Sequence, residues 1–161
     1  MLNYIKKFWH AKEGTPSVEF ALYLPILVMI MVGVSEFGRA IMHSTMLEKS
    51  LRSGALYAAR SNLPLSAASL AEIQNNVKNG NSDGTGNYLI DGWRDTSATL
   101  TITVDNFTLS SATSVLGSNL LPVITIDASV PYQPILGNVL TVFGMGSITL
   151  NLSHEQAHVG V

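Results

Sequence analysis

Hydrophobic residues are concentrated in one run near the start of the chain, residues 18–34, with the sequence VEFALYLPILVMIMVGV. The only charged residue among these seventeen is Glu19. At about 1.5 Å per residue the run forms a helix of about 25 Å, close to the length needed to cross a hydrocarbon core of about 30 Å. The pattern therefore predicts one membrane-spanning helix near the N-terminus.

The same helix is predicted to continue past the apolar run, from Ser35 to Arg60. Glu36 and Arg39 interrupt the apolar pattern at the start of this extension, three residues apart, which is a spacing at which helical side chains interact. A stripe of small and apolar residues at alternating steps of four and three predicts a face that packs on the following domain or on a neighbouring helix. Its members are Ala40, Ser44, Leu47, Leu51, Gly54 and Ala58.

The rest of the pattern predicts one short helix and three strands. Residues 66–80 place apolar side chains on one helical face and end at Gly80. Three later stretches are rich in β-branched residues with partial alternation, namely residues 98–105, 121–132 and 147–153. The predicted fold class is α+β: a long N-terminal transmembrane helix that extends into a small extracytoplasmic domain with about three antiparallel strands.

Charge is scarce and unevenly distributed along the chain. Charged residues make up 12% of the sequence, against about 25% in a typical soluble domain. Lys6, Lys7 and Lys12 precede the predicted span, whereas residues 35–161 hold six Lys and Arg against nine Asp and Glu. Basic residues on the short N-terminal side predict that this side is cytoplasmic and that the remaining domain lies outside.

Net charge and cysteine content exclude several classes of protein. The net charge of −2, with no basic cluster after residue 12, argues against nucleic acid binding. Cysteine is absent from the sequence, so there is neither a disulfide framework nor a thiol nucleophile. A cleaved secretory signal peptide is an alternative interpretation of the apolar run. Its apolar region should be shorter and end in a small-x-small site, for which Gly38-Arg39-Ala40 is a poor candidate.

Glu19 is the unusual residue of the predicted span. An acidic side chain at bilayer depth costs about 2.5–3.5 kcal/mol on insertion scales, which makes it a functional-site hypothesis by default. A glutamate hydrated at the cytoplasmic interface is the alternative. Cleavage after Gly14 would make Thr15 the first residue, and its α-amino group, with a pKa of about 8, would lie about one helical turn from the Glu19 carboxylate. In a bundle of such helices, that amine would neutralise Glu19 of a neighbouring subunit.

The segment GTPSVEF, from Gly14 to Phe20, resembles the processing site of the Flp-type, or tight adherence (Tad), branch of type IV pilins. The continuation resembles the TadE-like minor pilins, or pseudopilins, over about residues 14–60. Three features carry the resemblance: the pair Glu19-Phe20, Pro25 several residues later, and a segment at the helix exit that contains Glu36 and Arg39. These features do not distinguish TadE from TadF or another paralogue.

The resemblance implies a domain organisation and a location. Residues 1–14 would be a leader that a membrane-embedded prepilin peptidase removes, residues 15–62 an assembly helix, and residues 63–161 a periplasmic α+β domain. The protein would be a single-pass protein of the bacterial inner membrane without a cofactor. Pro25, which lies inside the helix and removes one of its hydrogen bonds, is expected to kink it.

The function implied by the resemblance is structural, in the assembly of a Tad (Flp) pilus. The implied partners are the prepilin peptidase, other minor pilins, the major Flp-type pilin and the inner-membrane Tad assembly platform. The implied biological context is adhesion and biofilm formation. The alternative is a membrane-anchored extracytoplasmic adhesin or binding module whose helix is a simple tether.

The motif HEQAH resembles the H-E-x-x-H pattern of zinc peptidases, with His154 and His158 as ligands and Glu155 as general base. That chemistry requires a helix, which brings both imidazoles to one side. Here the motif follows a strand pattern without a break, and on a strand the two histidines would stand about 13 Å apart. A metal-dependent peptidase is therefore not expected.

The stretch NGNSDG resembles the first half of an EF-hand loop, with Asn79, Asn81 and Asp83 at ligand positions. The glutamate that such a loop needs at its twelfth position is replaced by Ile90. Runs of Asn, Asp and Gly are commonly turns. With neither a nucleophile motif nor a phosphate-binding glycine pattern in the sequence, the expectation is a protein that is not an enzyme and that binds no metal.

Overall fold

The computed structural model describes residues 15–108, 120–135 and 147–160. The leader predicted for residues 1–14, including Gly14, lies outside the described residues. The elements are α1 (Thr15–Ala58), α2 (Ala67–Asn79), a 3₁₀ turn (Asp91–Arg94), β1 (Thr99–Thr108), β2 (Leu120–Pro131) and β3 (Thr149–Ala157). They confirm the predicted α+β class, a long N-terminal helix followed by a small three-stranded antiparallel sheet.

Helix α1 is 44 residues long and contains Pro25 in its interior. The chain divides into two compact units between Gly38 and Arg39, so that the last part of α1 belongs to the same unit as α2 and the sheet. In that second unit the predicted packing stripe is confirmed, because five of its six members are buried and Ser44 is half-buried. The division into leader, helix and outer domain at residues 14 and 62 stays a prediction.

Helix α2 begins and ends at the residues that its sequence indicates. The Ser66 side chain caps its N-terminus by accepting a hydrogen bond of 3.1 Å from the backbone N–H of Ser69. At the other end Gly80 adopts a left-handed conformation with φ of 80°, and its N–H donates to the carbonyl of Asn76. These two caps satisfy backbone groups that would otherwise end the helix without partners.

The sheet has β2 at its centre, with β1 and β3 antiparallel on either side. Strand alternation gives it two different faces. The inner face is apolar, since β2 buries Ile124, Ile126, Ala128 and Val130 there. The outer face is polar, as in the row that aligns Thr101, Asp127 and Ser153 across the three strands.

The core of the second unit lies between the inner face of the sheet and the two helices. Small side chains on α1, including Ala55 and Ala58, allow these layers to approach closely. Sequence patterns did not predict the part of the core formed by Ile90 and Trp93. Ile90 lies directly before the 3₁₀ turn, Trp93 lies within it, and both are buried. The remaining buried members are Leu47, Leu51, Ala59, Ile73, Val77, Ile124, Ile126, Ala128 and Val130.

Gly54 marks the closest approach of α1, α2 and the sheet. A Cβ atom at this position would overlap Cγ2 of Val77, and it would lie 3.6 Å from Cδ1 of Ile126 and 3.6 Å from the carbonyl oxygen of Ile73. Glycine is thus required here by packing, although it lowers helix propensity by about 1 kcal/mol relative to alanine.

Gly54→Ala is expected to destabilise the protein. Overpacking of a close contact costs about 1–3 kcal/mol, which exceeds the gain in helix propensity. The measurement is the thermal unfolding of the full chain in detergent. Gly38→Ala on the same helix is the matched control, because a Cβ there meets nothing within 4 Å. A melting temperature of Gly54→Ala equal to or above that of Gly38→Ala would contradict the packing argument.

Candidate functional site

The first half of α1 presents an apolar surface that the described residues do not cover. Every residue from position 16 to position 31 is exposed. An 18-residue window of this helix has a mean hydropathy of 2.1, with none of it buried, so by length and composition α1 is able to cross a membrane once. An apolar helix that is exposed all round needs lipid or protein around it, since water would not support it. We call residues 16–31 the apolar helix surface.

Glu19 and Phe20 lie near the N-terminal end of the apolar helix surface, and both are exposed. The exposed fraction of Phe20 is 59%. Glu19 is the single charged side chain on this surface. Pro25 follows within the same surface. The structure thus places Glu19, Phe20 and Pro25 on one exposed segment, where contacts with other molecules are possible.

The polar and aromatic side chains at the helix exit were predicted from the sequence only in part. Glu36 is buried, with an exposed fraction of 3%. Arg39 is half-buried, and its Nη1 atom is buried without a hydrogen-bond partner among the described residues. Sequence analysis did not identify the edge-to-face pair of His43 and Tyr132, whose ring centroids lie 5.5 Å apart. His43 follows Arg39 by four residues on the same helix, but its partner Tyr132 follows β2 and is distant in sequence, so no local pattern predicts the pair.

The HEQAH motif lies on a strand, as predicted. His154 and Glu155 are within β3, where Glu155 is exposed and His154 is half-buried opposite Ile126. His158 follows the strand and has a structural contact, because its Nε2 donates to the carbonyl of Ser61 at 2.8 Å. The motif therefore has the geometry of a sheet edge and not that of a helical zinc site.

The Asn-rich loop is held by amide side chains that donate to backbone carbonyls. Asn81 donates to Thr85 at 2.7 Å and Asn79 to Gly86 at 3.4 Å. Asp83 is exposed. These bonds are typical of a turn. Across residues 15–108, 120–135 and 147–160, no group of three or more His, Cys, Asp or Glu side chains is arranged to hold a metal ion.

Tyr57 and Asp95, both in the second unit, have shifted pKa values. The Tyr57 hydroxyl donates to the Glu72 carboxylate at 2.6 Å, which raises the pKa of Tyr57. Hydrogen bonds from the N–H and hydroxyl of Ser97 lower the pKa of Asp95, which also accepts from Gln133. Both groups are at the surface and connect neighbouring segments, so these shifts reflect structural contacts.

Comparison with known proteins gives one match. Residues 14–56 match the family model described as TadE-like protein, which is 43 of the 161 residues. The match covers Gly14, Glu19, Phe20, Pro25 and the helix exit, and it confirms the resemblance drawn from those residues. No curated protein matches the chain. No solved structure matches it either.

Proposed function

We propose that this chain, whose residues 14–56 form a TadE-like segment, is a minor pilin or pseudopilin required for assembly of a Tad (Flp) pilus. The observation that carries the proposal is the coincidence of two features. The TadE-like match covers the apolar helix surface, and every side chain of that surface is exposed for contact with lipid or with other subunits.

Processing comes first in the proposed function. A prepilin peptidase at the cytoplasmic face of the inner membrane cuts after Gly14, and the mature chain begins at Thr15. Lys6, Lys7 and Lys12 hold the leader on the cytoplasmic side. Pro16 then occupies the second position of the mature chain, where a proline gives up no helical hydrogen bond.

Charge pairing between subunits follows from processing. Attraction between the new α-amino group and a Glu19 carboxylate about 4 Å away amounts to about 4 kcal/mol at an effective dielectric constant of about 20. This is comparable to the cost of about 2.5–3.5 kcal/mol for an unpaired acid in the membrane. A pair of this kind forms only at one axial stagger of neighbouring helices, so Glu19 registers the subunits.

The proposed partners follow from the location of each part of the chain. The apolar helix surface contacts other minor pilins, the major Flp-type pilin and the inner-membrane assembly platform. The α+β domain faces the periplasm, in agreement with the basic residues Lys6, Lys7 and Lys12 on the short N-terminal side of the span. The polar outer face of the sheet is compatible with an aqueous compartment.

In-cell photocross-linking tests the proposal against the alternative of a simple tether. A photoreactive amino acid at Tyr23, which is 62% exposed on the apolar helix surface, is expected to form adducts with pilin subunits or the platform. The matched control at Thr101, exposed on the outer sheet face, reports contacts of the domain. A tether predicts only lipid adducts at Tyr23, and that result in pilus-producing cells would contradict the proposed function.

A further inference from the structure

Exposed apolar side chains continue along α1 beyond the first unit. Ile41 is 53% exposed, Met42 65% and Met46 45%, and the next exposed residues on the helix include the charged Glu48 and Lys49. Residues 18–46 correspond to about 43 Å of helix, whereas a hydrocarbon core is about 30 Å thick. The apolar side of the helix is thus longer than a membrane span requires.

The opposite side of the same helical turns is part of the folded outer domain. Ala40 and Leu47 are buried, and Ala40 packs in one cluster with Tyr132 and Ile148. The backbone N–H of Tyr132 donates to the carbonyl of Ile148 at 2.8 Å, next to the last residue pair of β2 and β3. The core of the domain therefore begins within about one turn of the end of the first unit.

A second segment carries an exposed apolar residue close in sequence to the Ala40 cluster. Ile135 is 68% exposed and follows Tyr132 by three residues, so it lies within about 10 Å of the Ala40 cluster. The sequence between Gln133 and Ile148 contains no charged residue. We call Ile41, Met42, Met46 and Ile135 the apolar collar.

We propose that the apolar collar is occupied by the interfacial layer of the bilayer, so that the outer domain is seated directly on the lipid surface. The inference rests on the membrane span of the proposed function. We assign lipid as the occupant because the candidate span and three of the four collar residues lie on the same uninterrupted helix, α1. Apolar side chains next to a span are stable at the boundary between headgroups and acyl chains.

The seating has a structural consequence for the domain. The four collar side chains are apolar, whereas the outer face of the sheet carries hydroxyl and acidic side chains such as Thr101, Asp127 and Ser153. Such an asymmetric distribution orients a domain at a surface. Collar side chains from two segments of the chain contact the membrane. These contacts restrict movement of the domain away from the bilayer surface.

Depth-dependent fluorescence quenching tests the inference, and the absence of cysteine makes single labelling sites straightforward. The full chain is reconstituted in vesicles of phosphatidylcholine and phosphatidylglycerol. Labelled Met42→Cys and Ile135→Cys report the collar, Leu27→Cys the span and Thr101→Cys the outer sheet face. We expect lipids with a spin label near the headgroup to quench the collar labels at least about threefold more than the Thr101 label, and iodide to quench them less.

The outcomes separate this inference from the proposed function. If the collar labels behave like the Thr101 label while spin-labelled lipid quenches the Leu27 label, the collar does not contact the bilayer. The proposed membrane span is then still supported. If the Leu27 label is also unquenched by lipid, both fail. If the collar labels are shielded from lipid and from iodide, a protein covers the collar and the inference is overturned. If a labelled collar variant does not fold, Ile41→Cys or Met46→Cys is used in its place.

Discussion

Gly14→Val is expected to keep residues 1–14 in cells that contain a prepilin peptidase, whereas the wild-type chain is expected to begin at Thr15. The reason is steric, because glycine at the residue before the cut allows close approach of the backbone to the catalytic carboxyl groups. We expect the cleaved fraction per unit time to fall at least about tenfold, which corresponds to about 1.4 kcal/mol of transition-state free energy. Intact-mass measurement of the purified protein distinguishes the two chains.

Ala11→Val is the matched control for this substitution. It adds the same kind of side chain to the leader, but three residues away from the proposed cut, and processing is expected to continue at the wild-type rate. Cells without the peptidase should retain the leader in all three proteins. A wild-type protein that carries residues 1–14 after incorporation into pili would refute the proposed processing, as would a Gly14→Val chain cut as rapidly as the wild type.

Those parts of the fold that depend on local chemistry were predictable from the sequence. The apolar run and the stripe that follows it predicted α1, because helical periodicity repeats over many residues. Gly80 predicted the end of α2, because a left-handed glycine acts within one turn. Alternation of β-branched residues predicted the three strands to within a few residues at most of their ends.

Other parts depend on contacts between distant segments and were not predictable. The 3₁₀ turn of Asp91–Arg94 is too short for a periodic pattern, and its place is set by Gly92, which lies against the carbonyl of Pro131. Strand β3 extends to Ala157 through polar residues, because the pairing with β2 continues as far as Val123. Local propensity for these residues is weak, and the neighbouring strand determines their conformation.

The candidate site shows a further limit of prediction from one sequence. The residues of the TadE-like segment were identified from their motif, and the structure places Glu19, Phe20 and Pro25 on one exposed surface. The residues that the structure describes do not cover this surface. In the proposed function it is covered by lipid and by other subunits, whose residues are not encoded in this sequence.

Glu19→Ala is expected to affect membrane insertion and pilus assembly in opposite directions. Removal of the acid relieves an insertion cost of about 2.5–3.5 kcal/mol, so the protein should remain in the inner membrane at a level equal to or above that of the wild type. The same change removes the partner of the neighbouring α-amino group, and loss of an interaction of about 4 kcal/mol corresponds to a decrease of about 800-fold in an association constant. Piliation counted by electron microscopy should therefore be abolished.

Glu19→Gln distinguishes charge from shape, because glutamine keeps the size and hydrogen-bonding capacity of the side chain and removes only its negative charge. If pairing with the α-amino group registers the subunits, Glu19→Gln should fail to assemble as completely as Glu19→Ala. Ser17→Ala, on the same exposed segment, controls for an unrelated change and should assemble normally. Normal piliation by Glu19→Gln would show that a neutral side chain at this position is sufficient for assembly. That result would refute the hypothesis that charge pairing between Glu19 and a neighbouring α-amino group registers the subunits.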